Sequence, residues 1–154
     1  MNSLHIQTMA LLPTTEGPNR TKILLPHEQF FSTLTPRKLL LRSFKLLNRP
    51  YAAHEAFARK KWTAHQKLPL IIEIGLDVPL VLFPTLSPHH PDNAWLSFFH
   101  IEHIKKRDAK TTELTFVDGQ RATVACSEYT LNVQLSRTLL TWNSYTTESL
   151  RIDA

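Results

Sequence analysis

"ELTFVDGQRATVACSEYTLNVQLSRTLLTW", residues 113–142, changes its period halfway along. Its first half holds two short apolar runs around Asp118-Gly119, a pair that supplies the positive backbone angles of a tight hairpin turn. From Ser127, placed to cap a helix, Leu131, Leu135, Leu139 and Trp142 recur at intervals of four, four and three. That spacing lines up one stripe of an amphipathic helix. After Asn143 the chain turns polar, so residues 144–154 read as a fraying tail and residues 1–143 as one domain.

Upstream, "SLHIQTMALLP" and "TKILLP" read as strands separated by the breaker-rich turn "TTEGPN". "LPLIIEI" and "PLVLF" are compact buried strands bracketed by prolines and a glycine. "AWLSFFHIEHI" reads as one further strand, with Trp95, Ser97, Phe99, Ile101 and His103 on one side. Pro50 followed by "YAAHEAFARKKW" predicts a short central helix, because the segment is alanine-rich and lacks β-branched residues. "RKLLLRSFKLL" satisfies both periods: a helix gathers Leu39, Leu40, Ser43, Phe44 and Leu47, whereas a strand leaves neither face purely apolar. Periodicity leaves residues 38–47 open. The expected fold class is α+β, a mainly antiparallel sheet with a short central helix and an amphipathic C-terminal helix.

At 154 residues the chain suits a single core, and its 42% hydrophobic and 20% charged composition is that of a globular protein. No run of about 18 residues is apolar throughout, which argues against a membrane span. The single cysteine, Cys126, cannot form an internal disulfide, and the N-terminus does not read as a secretory signal. The expected location is the cytoplasm, at the nucleoid. Charge divides unevenly: residues 1–67 carry eleven Lys/Arg against three acids, and residues 68–154 carry seven against ten. The densest block runs from Arg37 to Lys67 and is opposed only by Glu55. Such asymmetry suits a polyanion, although the same charges would also serve as a solubilising face.

Motifs for chemistry are weak. His89 and His90 are adjacent and cannot easily aim at one ion, and no ligand pair stands nearby at metal spacing. His100 and His103 fall on opposite faces of a strand and take packing and surface roles. Cys126 lacks a specific nucleophile signature. Gly17, Gly75 and Gly119 are too far apart to cradle a phosphate. Trp62, among Arg59, Lys60 and Lys61, could stack on a base, but such a tryptophan more often closes a helix on the core. No metal site, cofactor or enzyme activity is expected.

Taken together, "LFPTLSP" (82–88), "AW" (94–95), "FFHIEHI" (98–104), "TFVDGQ" (115–120) and "YTLNVQLSRTLLTW" (129–142) resemble, in order and spacing, the ComK family of competence transcription factors. "RSFK" and "PYA" in residues 42–52 add a weaker block, and "LFPTLS" is the distinctive piece. The resemblance implies a sequence-specific DNA-binding activator that takes paired A/T-rich boxes as a homodimer or dimer of dimers, largely through the minor groove, with RNA polymerase as a candidate partner. Family members continue into a segment associated with activation and with capture by a protease adaptor. This chain stops at Ala154, so that contact is not carried over. Prolines 79, 84, 88 and 91 then read as a brace, with His89 and His90 at the loop tip.

The expected DNA face comprises Arg37, Lys38, Arg42, Lys45, Arg49, Arg59, Lys60 and Lys61, with Lys105, Lys106 and Arg107 as an outlying phosphate clamp. Lysines suit phosphates, and arginines suit a narrow A-tract groove because guanidinium is cheaper to desolvate. Arg42 and Arg49 are the expected insertions. Two other readings stay open: a metal-dependent nucleic-acid-processing enzyme, and a protein-interaction module working through the C-terminal helix.

Overall fold

A computed structural model of the protein describes residues 3–63, 65, 67–75 and 78–153. Its larger sheet has six strands: β1 (Ala10–Pro13), β2 (Thr21–Leu25), β3 (Glu28–Ser32), β4 (Leu70–Ile72), β5 (Leu80–Pro84) and β6 (Trp95–Ser97). They are ordered β3-β2-β1-β6-β5-β4, and every pairing is antiparallel. A second antiparallel sheet holds β7 (Ile101–Lys106), β8 (Thr112–Phe116) and β9 (Arg121–Val124) in sequential order. The helices are α1 (Pro36–Leu46), α2 (Tyr51–Lys61) and α3 (Glu128–Asp153). The architecture is α+β, as expected. β3 was not anticipated from the sequence.

The larger sheet is covered on both faces, which explains its saturated apolar strands. Because successive residues of a strand point to opposite faces, Leu11, Ile23, Leu82 and Trp95 enter one cluster with Leu39, Leu40 and Phe44 of α1. Their neighbours Ala10, Leu24, Phe83 and Leu96 enter another, with Leu114 and Phe116 of β8, Val124 of β9 and Leu131 of α3. Thus α1 lies on one face of the sheet, and the second sheet with α3 lies on the other. Buried Gln134 locks α3 in place, its amide donating to the carbonyls of Lys67 and Pro84 at 3.0 Å each.

Residues 36–46 resolve as helix. Thr35 caps it by accepting from the Lys38 amide at 3.3 Å, Pro36 fills the first turn, and Asn48 ends it at φ +57. The buried set is Leu39, Leu40, Ser43 and Phe44 with Pro36, the grouping that a helical period selects. Pro50 stands just before α2 as its cap residue.

Three local expectations need correction. "AWLSFFHIEHI" is not one strand: a single 3-10 turn, Phe98–His100, carries the chain from β6 in the large sheet to β7 in the small one. His100 Nδ1 and Ser97 Oγ close that turn at 2.6 Å, so the even spacing from Trp95 to His103 does not mark one face. At the hairpin, only Gly119 takes a positive φ, +91. The Gly119 amide donates to the Phe116 carbonyl at 2.9 Å and the Phe116 amide to the Gln120 carbonyl at 2.8 Å, which makes a three-residue loop with a glycine bulge. Finally, helix does not stop near Asn143. Thr146 and Thr147 hydroxyls donate back to main-chain carbonyls of the preceding turn, and α3 continues to Asp153.

Candidate nucleic-acid interface

The first turn of α1 carries Arg37 and Lys38 and no acid, although a helix N-terminus already presents positive partial charge. This arrangement is uphill for the isolated helix and favourable once an anion approaches. Arg37 lies with its guanidinium carbon 5.5 Å from the Tyr51 ring centroid, an arrangement that limits its rotamer freedom. Burial, with Glu55 beside it, pushes the Tyr51 hydroxyl up to about 12, so it stays a neutral hydroxyl. Lys38, Arg42 and Lys45 follow at helical spacing and are exposed. None of the three makes an ion pair among the described residues.

The other expected residues divide. Arg49 pairs with Glu73 at 3.6 Å, and both side chains are about half exposed, so the pair is weak. Arg59 is tied down more thoroughly: it reaches Glu55 at 3.3 Å and donates to the carbonyls of Thr63 at 3.3 Å and His65 at 2.6 Å. Lys60 is exposed. Lys61 donates to Ser144 of α3 at 3.2 Å, and the neighbouring Trp62 spends its ring N–H on Thr141 at 3.0 Å. Trp62 therefore docks α2 on α3. Lys105 and Lys106 lie in β7 and Arg107 just beyond it; Lys105 stands opposite Glu113, and Arg107 reaches Thr123 at 3.5 Å.

What the structure brings together cuts across that list. A cleft of about 640 Å³ opens between the β1–β2 turn, the start of α1 and the β5–β6 loop, with Arg20, Arg37, His89, His90, Asp92 and Asn93 in its wall. It shares Pro13 and Thr14 with a second cleft holding Lys22, Glu113 and Arg121. It shares Arg37, Pro88 and His89 with a third, holding Tyr51, Glu55, Arg59 and Ser87. Ser87 in turn belongs to a fourth, with Lys67 and Arg137. In the walls of these adjoining clefts stand Lys22, Arg121, Arg20, Arg37, Arg59, Lys67 and Arg137, with Glu113, Asp92 and Glu55 as the carboxylates among the described residues, and Glu55 is already held by Arg59.

Arg20, Lys22, Arg121 and Arg137 were missed because they lie outside the dense cations of residues 37–67 and the short run Lys105–Arg107 that charge density singles out. Histidines 89 and 90, taken as loop-tip residues, are indeed exposed, and they also form a cleft wall. The loop is built by short-range bonds: His90 N to the Ser87 carbonyl at 2.8 Å, Asn93 N to the His90 carbonyl at 3.0 Å, and Leu86 N to Asn93 Oδ1 at 2.9 Å.

Other chemistry finds less support. Among the described residues no group of three His, Cys, Asp or Glu side chains converges as a metal site. Cys126 is buried, and burial pushes its thiol up to about 11, which leaves little thiolate at neutral pH. No helix among the described residues is long and apolar enough to cross a membrane.

No solved structure matches this chain at a significant level. A curated relative, the "Competence transcription factor" of Bacillus subtilis (strain 168), is 27% identical over 132 residues, covering 85% of this chain and 68% of the relative. The family profile described as ComK protein matches residues 3–148, a span that takes in both sheets, α1, α2 and most of α3, and the chain belongs to the ComK family.

Proposed function

We propose that this ComK-family protein is a DNA-binding regulator of transcription of the competence type, acting at the nucleoid on double-stranded DNA. The observation that supports the reading is the set of seven cations in the walls of adjoining clefts, against three carboxylates among the described residues, together with Lys38, Arg42 and Lys45 on α1, which make no ion pair among the described residues. A surface of this kind recruits a polyanion by releasing its counterions.

A/T-rich boxes are the preferred target. Their narrow minor groove concentrates negative potential, and Arg42, exposed and without an ion-pair partner among the described residues, supplies a guanidinium for it. Arg49 enters only by leaving Glu73. Lys38, Lys45, Lys60 and Lys61 neutralise flanking phosphates, and Lys105, Lys106 and Arg107 act as a more distant clamp. Because the minor groove offers a degenerate code, spacing between paired boxes would be read by a symmetric homodimer or dimer of dimers.

The test is a gel shift on spaced A/T boxes and on scrambled duplex at several salt concentrations. With ~6 phosphates engaged, log affinity falls against log salt with a slope near −5. A flat response, or equal affinity for both duplexes, would remove the reading.

A further inference from the structure

We infer that the cleft between the β1–β2 turn, the N-terminus of α1 and the β5–β6 loop is a discrete seat for one DNA backbone phosphate, in which Arg37 of the basic block is joined by donors that no run of basic sequence announces. This deepens the proposed function and rests on it.

Four observations converge. The α1 N-terminus, with Thr35 and Pro36, lines the cleft and carries cations where a helix normally carries acids. Arg20 and Arg37 reach it from two different elements; Arg20 Nη1 is used by the carbonyls of Gly17 at 3.2 Å and Asn19 at 2.9 Å, which orients the guanidinium without neutralising it. Asn93, only 3% exposed, lines the same cleft, and its Nδ2 is a buried donor with no acceptor among the described residues. An unmet buried donor is costly, and because Nδ2 is closed off from solvent in this arrangement, a ligand in the cleft accepts from it only after a small shift of the β5–β6 loop, which that cost favours. Lastly, His90 Nδ1 accepts from the Asp92 amide at 3.0 Å, which puts the proton of the neutral ring on Nε2 and makes that nitrogen a donor.

The lining is thus rich in donors, with Asp92 as its single carboxylate among the described residues. A phosphodiester, an acceptor on both free oxygens, is the group that such a wall complements. A seat of this kind fixes where the strand crosses the protein and carries no base information. It therefore contributes equally to every duplex, unlike Arg42.

The experiment uses the full chain and measures affinity for A/T-box and scrambled duplex across a salt series, with thermal melts to verify folding. Arg20→Ala removes an exposed cation. Asn93→Asp keeps the oxygen that holds the Leu86 amide and replaces the donor by a charge that repels phosphate. Lys110→Ala is the control of equal charge loss, since Lys110 is exposed and lines none of the four clefts. We expect Arg20→Ala and Asn93→Asp to weaken both duplexes by the same factor, roughly tenfold, with Arg20→Ala reducing the salt slope by about one. Lys110→Ala should change affinity less than about twofold. If wild type binds duplex and both folded cleft variants match Lys110→Ala, the seat is overturned while the DNA reading stands. Failure of wild type to bind any duplex removes both. Titration with inorganic phosphate, followed by the Asn93 side-chain amide resonance, separates the sources: saturation below about a millimolar together with unchanged duplex binding by Arg20→Ala would assign the cleft to free phosphate and overturn the backbone seat.

Discussion

The His54 ring of α2 stacks on Phe44 of α1, with centroids 4.0 Å apart and 27° between planes. It is 2% exposed, and neither ring nitrogen has a hydrogen-bond partner among the described residues. Burial, and after it the charge of Arg49, lowers its pKa from the ordinary value; the main chain near Arg49 and Ile71, close to the ring without forming a full hydrogen bond, and the charge of Glu73 favour the protonated ring but are outweighed. This contact joins the two helices that carry most of the expected DNA face.

Acid should therefore loosen the pair. A histidine whose folded pKa is depressed is neutral in both states above its unfolded value of about 6.5; below it the unfolded chain takes up the proton first, and stability falls with pH until the folded pKa is reached. His100, also depressed chiefly by burial, acts in the same direction. Thermal melts from pH 7.5 down to 5 should show Tm dropping below about pH 6.5, with a shallower drop in His54→Phe. An unchanged pH profile in that variant would remove His54 as the cause.

Arg42→Ala should cost roughly 1–3 kcal/mol of binding on A/T-rich duplex and less on random sequence, whereas Lys60→Ala should weaken both alike. The check is the pair of affinities for each variant at one salt concentration. Equal losses for Arg42→Ala would withdraw its assignment to the groove.

Trp62 tests the α2–α3 junction. Trp62→Phe deletes the hydrogen bond to Thr141 while keeping most of the ring, and should cost about 1 kcal/mol in denaturant unfolding. Trp62→Ala should cost about 2 kcal/mol, since the ring is only partly buried. Loss of DNA affinity in the folded Trp62→Phe variant would instead show that the indole touches the ligand.

Gly119 sits at φ +91 with nothing within 4 Å of where a Cβ would stand. Gly119→Ala should thus destabilise through backbone strain alone, by about 1–2 kcal/mol, measured by chemical denaturation.

Cys126 should resist alkylation in the native state at pH 7.5 and react fully in denaturant, because its thiol is both 4% exposed and shifted up. Rapid native labelling would place it outside the core.

Much of this protein is legible in its amino-acid order. The β8–β9 hairpin around Gly119, the Ser127 cap and the two-sided apolar strands near Leu70 and Leu82 are local facts: each depends on residues a few positions apart, and burial on both faces writes itself as an unbroken apolar run. Other features needed the assembled molecule. Residues 38–47 satisfy two periods, and the uncovered face of the six-stranded sheet selects the helical one, because Leu39, Leu40 and Phe44 can then cover Leu11 and Trp95 together. The 3-10 turn at Phe98–His100 interrupts a stretch whose alternation continues through it, since the chain must pass from one sheet to the other there.

The site divides the same way. Order alone marks the dense cations from Arg37 to Lys61, since charge density is a one-dimensional property. It is blind to the cleft that sets Arg20 beside Arg37 and Asn93, three residues from three separate segments. An electrostatic surface is a sum over neighbours in space, and which segments become neighbours is decided only when both faces of the sheet are covered.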